Sequence, residues 1–153
     1  MANSRMQFME DLEEIRNLTS SDFAALALCL DKAKSYRWKC AAGNSNDRYQ
    51  HMVIRTGQGL AGTALRLGRW VKLDDSHPQF GRERRDCPVM LAEQLQAAAV
   101  FPIRLDTGCP MRGLLFIGKR KGTRYEEDEI RTAQENLHKL VSDMKEYQEE
   151  MRI

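Results

Sequence analysis

The stretch GQGLAG at residues 57–62 constrains the fold most, because its three glycines join a short apolar run to a short helical pattern. Its spelling, G-x-G-x-x-G, is that of a dinucleotide-binding loop, which opens a full-length helix in a βαβ unit and precedes an acidic residue by about 20 positions. Here the helical pattern stops at Gly68, and Asp74 follows Gly57 by 17 residues. No second βαβ half follows, so the sequence does not favour a nicotinamide or flavin site.

The same glycines predict a close backbone approach at the start of this helix. Gly57 and Gly59 allow the chain to come near whatever lies there, and Gly62 is expected to let the helix pack tightly on the sheet. The first N–H groups of a helix have no intrahelical partner, so a helix start is a ready anion site. The alternative is that residues 57–62 form only a tight turn.

A second short helix is predicted to begin at Pro88, because the first helical turn does not need the N–H that proline lacks. Its start would offer the N–H groups of Val89 and Met90. If both helix starts converge, they form a neutral, dehydrated pocket that suits a small, weakly hydrated anion.

The order of the remaining segments indicates an α+β fold rather than alternating βαβ units. Apolar residues at helical spacing predict a helix over residues 5–18. The apolar run at 22–31 is interpreted as a buried strand, although its Ala and Leu residues also favour helix. A short helix or turn is predicted at 48–51 and a long polar loop at 75–87. The other predicted strands are 36–42, 70–74, 97–105 and 112–120.

The closing segment, residues 126–152, predicts one long helix with an unbroken heptad stripe. The stripe residues are Ile130, Ala133, Leu137, Leu140, Met144, Tyr147 and Met151. The stripe could be a face that packs on the chain's own core. Because a helix of this length outruns a small domain, we expect it to pair with residues 5–18 and with a second protomer.

Composition excludes several classes of protein. A net charge of +2 over 153 residues is too small to indicate a nucleic-acid or membrane partner, and no apolar run approaches transmembrane length. The N-terminal segment lacks the apolar core of a signal peptide, so we expect a cytoplasmic protein. The cysteines are then expected to be reduced and buried; they are Cys29, Cys40, Cys87 and Cys109. The scattered histidines argue against a zinc site; they are His51, His77 and His138.

Two sequence blocks carry a family resemblance. The first is RTGQGLAGTALRLGRWVKLDD at residues 55–75, and the second is AAAVFPIRLDTGCPMRGLLFIGKR at residues 97–120. They resemble the glycine block and the last hairpin of GAF domains. RYEEDEI resembles the entry to the closing helix of that family. The resemblance implies one GAF domain over residues 1–153. In this α+β fold, a central antiparallel sheet carries the N- and C-terminal helices on one face, and short helices and loops cover a ligand pocket on the other.

Within this family the chain resembles the stand-alone NreA-type nitrate receptors. The similar positions are Trp38, Leu60, Ala61, Pro88 and Val89. The resemblance implies nitrate in a buried pocket, held by the backbone N–H groups of Leu60, Ala61 and Val89. Trp38 would be a wall of the pocket and not a donor. No catalytic residue, cofactor or metal is implied.

The resemblance also implies a role in signalling. Such receptors work beside a sensor histidine kinase in the nitrate and oxygen control of nitrate respiration. Residues 5–18 and 126–152 would form the dimer and partner surface, and the segment 75–87 would be the part that moves on binding.

Cys87 departs from that pattern, because an aromatic residue is expected before the proline. It supports an alternative, since GAF proteins include a free methionine-(R)-sulfoxide reductase that uses a thiol, and Arg84 and Arg85 would lower the pKa of the Cys87 thiol. That family's cysteine cluster is not found here, because Cys40 and Cys109 lie on or beside other strands. A GAF sensor of another small ligand and a purely structural dimerisation module stay open, whereas the signature of cyclic-nucleotide GAF domains is absent.

Overall fold

The structure, a computed structural model, describes residues 4–29, 35–105 and 112–151. Within these residues one six-stranded antiparallel sheet has the strand order β3-β2-β1-β6-β5-β4. The strands are β1 (Phe23–Cys29), β2 (Tyr36–Ala42), β3 (Val53–Ile54), β4 (Val71–Leu73), β5 (Ala97–Arg104) and β6 (Arg112–Lys119). The helices are α1 (Ser4–Leu18), α2 (Gly59–Leu67), α3 (Phe80–Arg85), α4 (Pro88–Ala92), α5 (Glu127–Glu135) and α6 (Leu137–Met151), with a 3₁₀ turn at Arg48–His51. The predicted α+β class is confirmed.

Both faces of the sheet are buried, and each belongs to a separate apolar layer. In β1, Phe23 and Ala25 pack with α2 and α4 in what we call the pocket layer. Ala24 and Leu26 pack with α1, α5 and α6 in the helix layer. A strand covered on both faces is apolar throughout, which is why β1 lacks the alternation of a half-exposed strand.

A β-bulge in β2 decides which side chains reach the pocket layer. The pairing with β1 shifts between Leu26, opposite Cys40, and Ala27, opposite Trp38, so that Lys39 is the extra residue. Trp38 therefore packs in the pocket layer and Cys40 in the helix layer, although an even spacing would place both on one face. Lys39 reaches the helix layer, where its Nζ donates to the Tyr147 hydroxyl of α6 at 3.1 Å.

The closing segment is two helices, and the prediction of one unbroken helix is wrong. α5 ends at Glu135 and α6 begins at Leu137, with the Asn136 N–H turned back to the carbonyl of Ala133 at 3.1 Å. Most of the heptad stripe is used inside the chain. Ile130, Ala133, Leu140 and Met144 are buried in the helix layer, with Leu137 and Tyr147 packed against it. The stripe thus serves as a core face, and pairing with a second protomer stays a prediction.

The segment 75–87 contains regular secondary structure where the sequence predicts only a loop. It contains the six-residue helix α3, Phe80–Arg85, which has no buried residue. The prediction of a loop is therefore wrong over these positions. Of the cysteines, Cys29, Cys40 and Cys87 are buried and not disulfide-bonded, whereas Cys109 lies outside the described residues.

A buried carboxyl group lies between α1 and α6. Asp143 is 4% exposed, and its Oδ2 has no hydrogen-bond partner among the described residues. Burial raises the pKa of Asp143 to about 8, with further increases from the hydrogen-bonded carboxyl of Asp11 and from the charges of Glu146 and Glu10. The Cys40 thiol of β2 faces the same region. The folded chain therefore holds a proton here that the unfolded chain releases near pH 4.

Because of this proton, we expect the free energy of unfolding to fall as the pH rises. Because the folded-state pKa lies above the unfolded one, the stabilisation is complete below about pH 4 and is lost as the pH approaches about 8. Asp143→Asn should remove this dependence and be more stable than the wild type at pH 9 by on the order of 2 kcal/mol. Urea unfolding at pH 5, 7 and 9 measures the effect, with the exposed Glu135→Gln as the matched control. Equal pH dependence in the wild type and in Asp143→Asn would contradict the prediction.

Candidate ligand site between two helix starts

The starts of α2 and α4 touch at a glycine. Gly59 has φ +67°, and a Cβ at this position would lie 2.8 Å from the carbonyl oxygen of Asp86 and 3.7 Å from the Cα of Cys87. Only glycine combines this left-handed backbone with the absence of a side chain at so short a distance. The predicted convergence of the two helix starts is therefore present.

Gly62 has a different role from the one predicted. A Cβ here would lie 2.1 Å from the carbonyl oxygen of Arg55, and the Gly57 N–H donates to the Gly62 carbonyl at 2.8 Å. The glycine thus allows α2 to pack on the loop that precedes it. The expectation that Gly62 serves contact with the sheet is wrong, because the nearest neighbours are loop backbone atoms.

A small cavity lies where these helix starts meet the sheet. All five residues predicted for the site line it: Trp38, Leu60, Ala61, Pro88 and Val89. The other lining residues are Met52, Val53, Ile54, Gln58, Gly59, Cys87 and Phe116. Its accessible volume is about 40 Å³, enough for about three water molecules or a small anion. This volume is small for a cyclic nucleotide.

The lining contains no carboxylate, ammonium or guanidinium group. The first intrahelical bond of α2 runs from the Gly62 N–H to the Gln58 carbonyl at 3.2 Å, and that of α4 from the Leu91 N–H to the Cys87 carbonyl at 3.3 Å. The N–H groups before these positions, including those of Leu60 and Val89, have no partner within their own helix. The cavity is therefore electropositive at both helix starts without carrying a formal charge.

Cys87 lies at the meeting point of these N–H groups. The thiol is 4% exposed and makes no side-chain cap hydrogen bond to α4, although the nearby N–H groups of Met90, Leu60 and Val89 act to lower its pKa. Burial prevails over this effect and raises the pKa of the Cys87 thiol. The thiol is thus neutral near pH 7.

The expectation of a lowered pKa at Cys87 is therefore wrong. The Arg84 charge does lower the pKa, but it is the weakest of the named influences on the thiol, and its guanidinium group donates to the Leu95 carbonyl at 2.7 Å. Arg85 is exposed. The charged residues that precede Cys87 in the sequence belong mostly to helix α3, which has no buried residue. The Cys87 side chain, at the N-cap of α4, is buried.

Trp38 brings a donor that sequence reasoning missed. The side chain is 7% exposed and stands edge-on to Phe116, with ring centroids 5.7 Å apart. Its Nε1 is buried and has no hydrogen-bond partner among the described residues. An indole N–H normally finds an acceptor when it is buried, so Trp38 offers an unused donor beside the cavity. No sequence pattern reveals such a lack of a partner.

Within the described ranges, no group of three or more His, Cys, Asp or Glu side chains could hold a metal ion. Over the same part of the chain, no helix has the length and apolar character needed to span a membrane.

Comparison with known proteins agrees with this architecture. The fold is similar to two structures of an NreA protein from Staphylococcus aureus mutated in its nitrate-binding site. One has 27% identity and a TM-score of 0.67 over 88% of this chain and 97% of that chain. The other has 29% identity and a TM-score of 0.66 over 82% and 97%.

A free methionine-R-sulfoxide reductase from Neisseria meningitidis, solved with its substrate, has a similar fold. The TM-score is 0.67 over 92% of this chain and 77% of that chain, at 15% identity, so this likeness concerns the fold alone. No curated protein matches the sequence. The GAF domain family matches residues 11–140, and the chain therefore belongs to the GAF family.

Proposed function

We propose that this chain is a nitrate receptor, a GAF sensor that binds nitrate in the cavity between α2 and α4. The observation that carries the proposal is the convergence of two helix starts on a small cavity lined without charged side chains. The likeness to the NreA protein of S. aureus, which has a nitrate-binding site, supports it.

Nitrate suits such a cavity for physical reasons. It is planar, monovalent and weakly hydrated, so removing it from water costs less than removing phosphate. Backbone N–H groups can meet its oxygens without a buried Lys or Arg, which would be expensive in the empty site. Millimolar to micromolar binding needs roughly 4–8 kcal/mol, and a few N–H groups at about 1.5–3 kcal/mol each to a charged acceptor supply this.

The proposed ligand-binding residues keep the roles that the sequence assigns, with one addition. The N–H groups of Leu60, Ala61 and Val89 face the oxygens, and Pro88 forms part of the apolar wall. Trp38 is both a wall and a donor through its indole N–H, because that group has no other acceptor among the described residues.

Binding becomes a signal only if nitrate prefers one conformation of the protein over another. We propose that the segment 75–87 moves, because it runs directly into Cys87 and α4. The output would be modulation of a sensor histidine kinase in nitrate- and oxygen-responsive gene regulation, with residues 5–18 and 126–152 (α1, α5 and α6) as the surface for the kinase and for a homodimer. The proposed setting is cytoplasmic, with neither nucleic acid nor membrane as a partner.

The alternative, a methionine sulfoxide reductase, has one observation in its favour: Cys87 lines the cavity. However, a buried thiol with a raised pKa is a poor nucleophile. Cys40, a second thiol that could resolve a disulfide, lies in the helix layer on the opposite face of the sheet. The accessible volume of about 40 Å³ is also small for methionine sulfoxide. We therefore propose a sensor without enzymatic activity.

The first prediction concerns ligand choice. At about 100 times its Kd, nitrate should add about 2.7 kcal/mol to the stability and raise the Tm by roughly 5–10 °C. Phosphate and cyclic nucleotides should have no effect, because one is too strongly hydrated and the other too large. Thermal unfolding at constant ionic strength measures this, with chloride as the control anion and nitrite as a related one. A Tm that no anion changes would contradict the receptor proposal and would favour a purely structural module.

The second prediction concerns the unused indole donor. Trp38→Phe keeps an aromatic wall but removes the N–H, so nitrate affinity measured by calorimetry should fall by about 10-fold or more. Trp70→Phe is the matched control, because Trp70 stacks on Phe101 and does not line the cavity. Unchanged nitrate affinity in Trp38→Phe would show that Trp38 lines the cavity without donating a hydrogen bond to nitrate.

A further inference from the structure

Helix α4 is held at the end opposite the one that lines the cavity. It has only five residues, so the Val89 N–H at its start lies about 6 Å along the axis from Glu93, which directly follows the helix. A helix this short is not stable on its own. Its position, and with it the direction of the Val89 N–H, depends on the contacts that bind it to the rest of the chain.

Side chains bind the last carbonyls of α4. Arg120 donates from its Nε to the Glu93 carbonyl at 2.9 Å, and Asn46 donates from its Nδ2 to the Ala92 carbonyl at 2.9 Å. At the other end, the N-cap residue Cys87 makes no side-chain cap hydrogen bond. The helix is thus capped by side chains at its C-terminal end and not at its start.

The Glu93 carboxylate is the centre of this network. It is 1% exposed, and its Oε1 accepts from the Ser45 N–H at 2.7 Å, from the Ser45 hydroxyl at 3.0 Å and from Nη2 of Arg120. Its Oε2 has no partner among the described residues. Desolvation largely offsets the attraction within a buried ion pair, so the pair adds little to stability. What it supplies is a fixed geometry, because three donors converge on one charged oxygen.

Arg120 connects this network to the ends of three strands. Its N–H donates to Oδ2 of Asp22, which directly precedes β1, at 2.7 Å, and its Nη2 donates to the carbonyl of Gly43, which directly follows β2, at 2.9 Å. In β6, a Cβ at Gly118 would lie 2.5 Å from Cδ1 of Leu95, so the chain after α4 packs closely on that strand. The C-terminal end of α4 is therefore held by the central strands of the sheet.

We propose that Glu93 and Arg120 are positioning residues of the nitrate site, an inference that rests on the proposed function. Neither residue lines the cavity. The pair sets the orientation of α4, and α4 in turn aims the Val89 N–H at the anion. Hydrogen bonds weaken steeply when the donor turns away from the acceptor, so a small rotation of α4 lowers the nitrate affinity although no residue that touches nitrate has changed.

The test measures nitrate affinity by calorimetry and stability by urea unfolding in the wild type, Glu93→Gln and Arg120→Lys. Gln keeps the shape of Glu93 without its charge. Lys keeps the charge of Arg120 but not the planar fork that reaches Glu93 and the Gly43 carbonyl together. Each variant should bind nitrate about 3- to 10-fold more weakly, because part of one hydrogen bond is lost.

Glu129→Gln is the matched control. It breaks another largely buried ion pair, that of Glu129 with Lys119 at 2.8 Å, whose side chains are 19% and 10% exposed. That pair joins α5 to β6 and does not touch α4. Its loss should lower the stability and leave the nitrate affinity unchanged.

Two further measurements guard against a variant that fails to fold. The double variant Glu93→Gln/Arg120→Met leaves no buried charge without its partner, so it should fold and bind nitrate at least as weakly as Glu93→Gln. In the nitrate-free protein, the amide NMR signals of Gly59 and Val89 should shift in Arg120→Lys and stay unchanged in Glu129→Gln.

Wild-type affinity in Arg120→Lys and in the double variant would overturn the inference and leave the receptor proposal intact, because the pair would then serve stability alone. Equal weakening of nitrate binding in Glu129→Gln would also overturn it, since the effect would then follow from any loss of stability. A wild type that does not bind nitrate overturns the receptor proposal. The NMR signals of Gly59 and Val89 then decide by themselves whether the pair positions α4.

Discussion

The contact between Gly59 and the backbone of Asp86 and Cys87 is the constraint on which the site depends. It joins two segments that are distant in sequence at a distance that no side chain at position 59 permits. Because the contact is made by backbone atoms, it brings the N–H groups at the starts of α2 and α4 together whatever the neighbouring side chains are.

The sheet separates this site from the helices, and the bulge in β2 links the two sides. Trp38 lies against the cavity, while its neighbour Lys39 lies on the other face, where its Nζ is 4.7 Å from the ring centroid of Tyr147 in α6. Adjacent residues of one strand thus contact the proposed ligand site and the proposed partner surface. A displacement of the Trp38 backbone would move Lys39 and its contact with Tyr147 of α6. The bulge is thus a short physical connection between the two layers.

The sequence predicted what depends on local pattern and missed what depends on tertiary environment. The order of strands and helices follows from apolar periodicity and glycine or proline positions, and the five predicted site residues all line one cavity. The break at Asn136 was missed because the heptad spacing continues across it. Helix α3 was missed because it is short and has no fully buried residue, so its sequence shows no apolar period. The raised pKa of the Cys87 thiol and the unpaired indole N–H of Trp38 are set by distant neighbours that no local pattern contains.

A ligand site made of backbone N–H groups leaves little trace in side-chain identity, since any residue except proline supplies the same donor. Receptors and enzymes of the GAF fold can therefore share the two helix starts, and likeness of fold alone does not separate them. What separates them is the chemistry of the side chains that meet those donors. In this chain the cavity is lined by the Cys87 thiol, which is neutral because it is buried, and by the Trp38 indole. The burial of Cys87 suppresses the thiolate that a reductase needs, and this supports the proposed binding of an anion over attack on a substrate.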